Sequence, residues 1–87
     1  MTGSYSVVLK RSAEAELRAI PPPDLRRVTD RVQRLAADAR PQGSEKLSGQ
    51  DRHRVRQGDY RIVYEVDDEE KIVTVVKIGH RREVYRD

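Results

Sequence analysis

Residues 53–66, HRVRQGDYRIVYEV, constrain the fold more than any other stretch, because side chains alternate up to a Gly-Asp pair and resume alternating beyond it. This pattern predicts two short antiparallel strands joined by a two-residue turn at Gly58-Asp59. With those residues as the loop, Gln57 pairs with Tyr60, Arg56 with Arg61, Val55 with Ile62 and Arg54 with Val63. Successive strand residues point to opposite sides of a sheet. Val55, Tyr60, Ile62, Tyr64 and Val66 therefore form an apolar face, and Arg54, Arg56 and Arg61 share the other. Like charges opposite one another in a sheet cost up to about 1 kcal/mol per pair. Three guanidinium groups crowded on one patch suggest a site that waits for an anion, and arginine's flat fork of donors matches phosphate. A basic sheet face with no ligand is the alternative reading of the same residues.

With 87 residues and no cysteine, the chain is expected to make one domain, 1–87, without disulfides or thiolate metal ligands. Phe and Trp are absent, so Leu, Ile and Val must fill the core. Two separated histidines do not make a metal site, and neither a metal nor a cofactor is expected. No apolar run approaches the roughly 18 residues of a membrane span. The start MTGSYSVVLKR lacks the apolar region of an export signal, so a cytoplasmic setting away from membranes is expected. The net charge of +3 hides a segregation: residues 52–61 carry Arg52, Arg54, Arg56 and Arg61 against Asp59, whereas residues 65–70 carry five carboxylates and no cation. Such segregation gives a nearly balanced protein a local basic field able to draw a polyanion.

Upstream, SYSVVLK at 4–10 reads as a first strand. Ser12 is the expected N-cap of a short helix that Pro21-Pro22-Pro23 ends, since proline removes donors and pushes its predecessor out of the helical region. Asp24 is the expected cap of a second helix of about four turns, on which Leu25, Val28, Val32, Leu35, Ala36 and Ala39 recur at helical spacing. RPQGSEKLSGQD, 40–51, reads as a loop with Leu47 as its anchor to the core. KIVTVVKI, 71–78, is continuously apolar and β-branched, as a central strand should be. The expected fold class is α+β: a small antiparallel sheet packed on two N-terminal helices, in the order β-α-α-β-β-β. Leu25, Val28, Val32 and Leu35 should face Ile62, Tyr64, Val73 and Val75. Counting back from a turn near Asp68 sets Arg61 level with Val76 or Lys77, and returns Gly79 to Tyr85, GHRREVY, to the arginine end of the sheet.

Arginine stays protonated near neutral pH, so these arginines can bind and neutralise phosphate but cannot accept a proton. His80 and Tyr85 are the titratable candidates. Each has a structural alternative, a stacking or capping histidine and a tyrosine that closes the core. Cleavage of RNA by its own 2′-hydroxyl needs only this kit.

HRVRQGDYRIVYEV and GHRREVY, following an amphipathic two-helix section and a KLSG loop at 46–49, together resemble the RelE branch of the RelE/ParE toxin superfamily over nearly the whole chain. The resemblance implies a toxin of a type II toxin–antitoxin pair. It also implies a ribosome-dependent endoribonuclease that cuts the mRNA codon in the A site. A cognate acidic antitoxin would silence it, and operator DNA would be met only through that antitoxin. Carried over by position, Arg61 binds the scissile phosphate, Arg81 stabilises the transition state, and Tyr85 stacks on or activates the nucleotide. Arg52, Arg54 and Arg56 bind the RNA backbone, and His80 by its position takes up part of the proton transfer. Arg54 and Arg56 stand where the best-known members have lysines, so the general acid and base remain open. The ParE branch shares the fold but poisons DNA gyrase without nuclease chemistry, which is the alternative expectation.

Overall fold

The alternating segment folds as the hairpin its pattern predicts. In the computed structural model, which describes residues 4–47 and 51–80, Arg52–Gln57 (β3) and Tyr60–Asp67 (β4) pair antiparallel, with Gln57 opposite Tyr60, Arg56 opposite Arg61, Val55 opposite Ile62 and Arg54 opposite Val63. Gly58 takes φ +59° and Asp59 keeps a negative φ, the type II′ arrangement whose twist suits a two-residue hairpin. Ahead of the hairpin come β1 (Ser6–Leu9), α1 (Arg11–Arg18), α2 (Asp24–Arg34) and β2 (Glu45–Leu47), and after it β5 (Ile72–His80). The sheet runs β1-β5-β4-β3-β2, antiparallel except where the edge strand β1 lies parallel to β5. The protein is α+β, with both helices on one face.

Several local expectations are corrected. β2 forms inside the stretch read as loop, because three residues, EKL, are too few to show an alternation. Leu47 sits on β2 among Lys10, Arg52 and Val63 instead of anchoring the helix-side core. Lys10 and Pro23 are the N-cap residues of the two helices, so Ser12 and Asp24 fall within the first turns and cap nothing with their side chains. α2 has 11 residues, about three turns, and tightens at its end through Leu35 N–H to Val32 O and Ala36 N–H to Gln33 O.

Ala13 and Ile20 of the first helical segment and Val28, Val32 and Leu35 of the second close over Val55, Ile62, Tyr64, Val73, Val75 and Ile78, all buried. Leu25 is partly buried at the edge of this cluster. Val75 and Ile78 share a face despite their odd spacing. Pairing steps from Val63 opposite Lys77 to Tyr64 opposite Val75, leaving Val76 as an extra residue in β5. The turn after Asp67 is also wider than counted, with Lys71 at φ +57°. Together these shifts set Arg61 opposite Gly79, not Val76 or Lys77.

At the acidic end of the sheet a clamp ties four segments together. Arg40 donates to Asp51 Oδ2 at 2.8 Å and to both carboxylate oxygens of Asp68 at 3.2 and 3.0 Å, and the Tyr5 hydroxyl donates to Asp68 at 2.5 Å. His53 is buried, its Nε2 lies 2.6 Å from Asp51 Oδ1, and its ring stacks on Tyr64. Tyr64 in turn donates to the Ala39 carbonyl at 2.7 Å.

The Arg40 guanidinium, with the Tyr5 hydroxyl, holds the Asp68 carboxyl down to about 2 from an ordinary 3.8. A carboxyl depressed in the folded state stabilises above its unfolded pKa, and that contribution is lost as pH falls through the folded value. The gap in melting temperature between wild type and Asp68→Asn should therefore be constant above about pH 5 and shrink between about pH 4 and 2. A gap that is flat down to pH 2 would show that the clamp does not stabilise the charged form.

Candidate anion-binding site

Because β3 and β4 hold their apolar residues toward the helices, the arginines must project from the face away from the helices. There Arg54, Arg56 and Arg61 line one cavity of about 220 Å³ with Glu45 and Gly43. Gly43 takes φ +95°, a left-handed conformation that suits glycine, where the chain turns into β2. Arg56 and Arg61 are cross-strand neighbours, with Cβ atoms about 5 Å apart.

The three guanidinium groups differ in depth. Arg56 is exposed, Arg54 is half-buried, and Arg61 is only 6% exposed, with Nη1 donating to the Tyr60 carbonyl at 3.4 Å. The sequence treated all three as an exposed patch; Arg61 is instead the floor of the cavity. A guanidinium taken out of water is costly, but one already held in place loses little freedom when an anion arrives, which favours a preorganised donor.

Glu45 is the residue that sequence reasoning missed. It lies across from Arg54 in the β2–β3 pairing and accepts a hydrogen bond from Arg54 Nη2. That contact, with smaller effects from Arg56 and Arg61, holds the Glu45 carboxyl below the usual carboxylate range. No local signal marked it, because its strand was invisible in the sequence.

Arg52 shares the arginine face but not the cavity. Its guanidinium is committed to Glu65, 2.6 Å away. It borders an adjoining groove of about 420 Å³, floored by Leu47, Val63 and Val76 and rimmed by Lys10 and Lys77.

His80 is at the arginine end of the sheet, as expected, but on the opposite face. It pairs with Tyr60, the two rings meeting edge to face at 5.9 Å. Both line a separate cavity of about 210 Å³ with Glu16, Ile20 and Ile78 on the helix side. The cause is the register: Gly79, not His80, falls beside Arg61. Arg81 and Tyr85 lie outside the described residues.

At the opposite end of the sheet, Asp51, Glu65, Asp67, Asp68 and Glu69 line an acidic depression, so the segregation of charge along the chain is also a segregation in space. Among the described residues, no three His, Asp or Glu side chains converge to hold a metal ion, and no helix is long and apolar enough to cross a membrane. The arginine cavity can bind a phosphate and neutralise charge that develops on it.

Comparison with known proteins agrees with this architecture. The family model described as "ParE toxin of type II toxin-antitoxin system, parDE" matches residues 7–85. Over 31 residues the chain is 42% identical to Toxin RelG of Mycobacterium tuberculosis, a stretch that spans 36% of this chain and 36% of that relative. The toxin–antitoxin complex RelBE2 from Mycobacterium tuberculosis contains a chain that matches with TM-score 0.79 and 26% identity, over 90% of this chain and 99% of that one. A free-state mutant of the E. coli toxin RelE matches with TM-score 0.78 and 25% identity, over 95% of this chain and 92% of that one.

The crowding of Arg56 against Arg61 has a measurable consequence. Arg56→Gln should stabilise the empty protein by a few tenths to about 1 kcal/mol. Raising salt should shrink the gain, because Arg56 is exposed and screened. Chemical denaturation at low and high ionic strength checks this; a loss of stability would mean that the Arg56 stem contributes more by packing than its charge costs.

Proposed function

The chain belongs to the ParE toxin family of type II toxin–antitoxin systems, within the RelE/ParE superfamily, and from that premise we propose that it is a ribosome-dependent endoribonuclease acting on mRNA in the A site. The observation that carries this reading is the buried Arg61 guanidinium at the floor of a cavity shared with Arg54 and Arg56. A gyrase inhibitor that works by docking on protein has no need of a deep guanidinium beside two more cations.

In the proposed reaction the 2′-oxygen of one nucleotide bonds to its own 3′-phosphorus while the bond from phosphorus to the next nucleotide's 5′-oxygen breaks. One proton leaves the 2′-hydroxyl and another reaches the departing 5′-oxygen. The nucleophile belongs to the substrate, so this route calls for no metal and no cofactor. Arg61 and Arg81 hold the scissile phosphate and gain strength as charge builds on its oxygens. Arg54 and Arg56 hold the backbone, with Arg52 at the margin. Tyr85 stacks on the base or moves one of the protons. His80, whose ring meets Tyr60 on the helix side, holds the end of β5 in this reading.

The partner is a small acidic antitoxin encoded with the toxin, in keeping with the relative found in a toxin–antitoxin complex. Operator DNA is met only through that antitoxin, and the setting is cytoplasmic. A second reading, a gyrase-directed toxin without nuclease chemistry, is favoured by one observation, the match of residues 7–85 to the ParE toxin model.

Single-turnover cleavage of mRNA on programmed ribosomes separates the two. Wild type should cut the A-site codon and leave gyrase supercoiling untouched. Arg61→Ala and Arg81→Ala should each slow cleavage by about 10²-fold, close to 3 kcal/mol of barrier, with circular dichroism confirming that the Arg61 variant folds. Tyr85→Phe should slow cleavage severely if the hydroxyl moves a proton, and mildly if only the ring stacks. Wild-type rates for both arginine variants, or no cleavage with inhibited gyrase, would make the gyrase-directed reading the better one.

A further inference from the structure

The arginine cavity is not empty of negative charge: it carries its own carboxylate. Glu45 reaches it from β2, an edge strand of three residues, and its partner Arg54 is the cation shared between the cavity and the adjoining groove. The Glu45 side chain is 65% exposed and that of Arg54 is 18% exposed. The acid is therefore the mobile member of the pair and the arginine the fixed one. All three arginines of the cavity act on the Glu45 carboxyl, which sits where an incoming phosphate oxygen would be drawn.

We propose that Glu45 is an internal competitor for the phosphate cavity, a specificity-determining residue that makes the site refuse an isolated phosphate and accept a strand bearing several. The inference rests on the reading of the cavity as a phosphate site. A single phosphate gains Arg54 only by displacing Glu45 and then stays beside the displaced carboxylate, so the exchange returns little. A strand offers further phosphates to Arg56, Arg61 and Lys10 at the rim of the groove, and their sum overcomes the one displacement. With Glu45 still nearby, the bound strand meets one cation fewer than the arginines supply. Affinity should then depend on salt less steeply than three arginines alone would make it.

The test is equilibrium binding of two probes, inorganic phosphate and a 2′-O-methyl RNA oligonucleotide that cannot be cleaved, to wild type and to Glu45→Gln over a range of salt. Glu45 is exposed on an edge strand, and a thermal melt confirms that the variant folds. The expected result is weak phosphate binding by wild type, about tenfold tighter phosphate binding by Glu45→Gln, and a logarithmic salt slope for RNA steeper by about 0.7 in the variant. Wild type that binds RNA while Glu45→Gln gains nothing for either probe overturns the inference and leaves the phosphate reading standing. So does a variant that binds both probes as wild type does but cleaves ribosome-bound mRNA at least 10²-fold more slowly, which would make Glu45 a proton acceptor. No binding of either probe by either protein overturns the phosphate reading itself, and this inference with it.

Discussion

A two-residue turn at Gly58-Asp59 fixes which residue of β3 stands opposite which residue of β4, and most of the protein's organisation follows from that register. Side chains in a strand alternate strictly, so a slip of one residue would carry Val55 and Ile62 into solvent and three arginines under the helices. Burial of the aliphatic set against Val28, Val32 and Leu35 makes such a slip prohibitively costly. The same force that builds the core thus aims the guanidinium groups away from it. Their mutual repulsion is sustained by the packing on the other side of the same strands.

The two ends of the sheet use charge in opposite ways. At the acidic end each carboxylate near the chain crossings is answered: Arg40 spans Asp51 and Asp68, Tyr5 completes Asp68, and His53 braces Asp51 from beneath. That end is closed by its hydrogen bonds and serves the fold. At the basic end Arg56 lies exposed and Arg61 lies deep, with Glu45 the one carboxylate among the described residues that line the cavity. Three arginines converging on one cavity set up a local basic field that matches a phosphate, which is why the arginine cavity, and not the larger acidic depression, is read as the functional site.

How far the sequence could be read depended on whether a residue's role was written in a period. The hairpin pairing and the aliphatic stripe of α2 were legible because alternation and helical spacing report faces directly. β2 was not, since Glu45–Leu47 is shorter than one cycle of evidence, and with it Glu45 escaped notice. The β-branched run of β5 carries no polar marker of its two faces, so the extra residue at Val76 could not be seen. That irregularity, together with the wider turn after Asp67, set Gly79 beside Arg61 and turned His80 to the helix side. Periodicity also says which face a residue takes but not how deep it lies, so the burial of Arg61 was out of reach. The expected roles of Arg81 and Tyr85 came from resemblance and lie outside the described residues.

The central claim is that the sheet face opposite the helices, at the end marked by Gly58, receives a nucleic-acid phosphate. Its most direct test is a titration of the protein with a non-cleavable RNA oligonucleotide while the arginine side-chain Nε–H signals are followed by NMR. The account predicts that the signals of Arg54, Arg56 and Arg61 move together with added RNA, while those of Arg40 in the acidic clamp and of Arg26, Arg27 and Arg34 in α2 stay in place. Movement of the α2 arginines with the three cavity signals unchanged would contradict it.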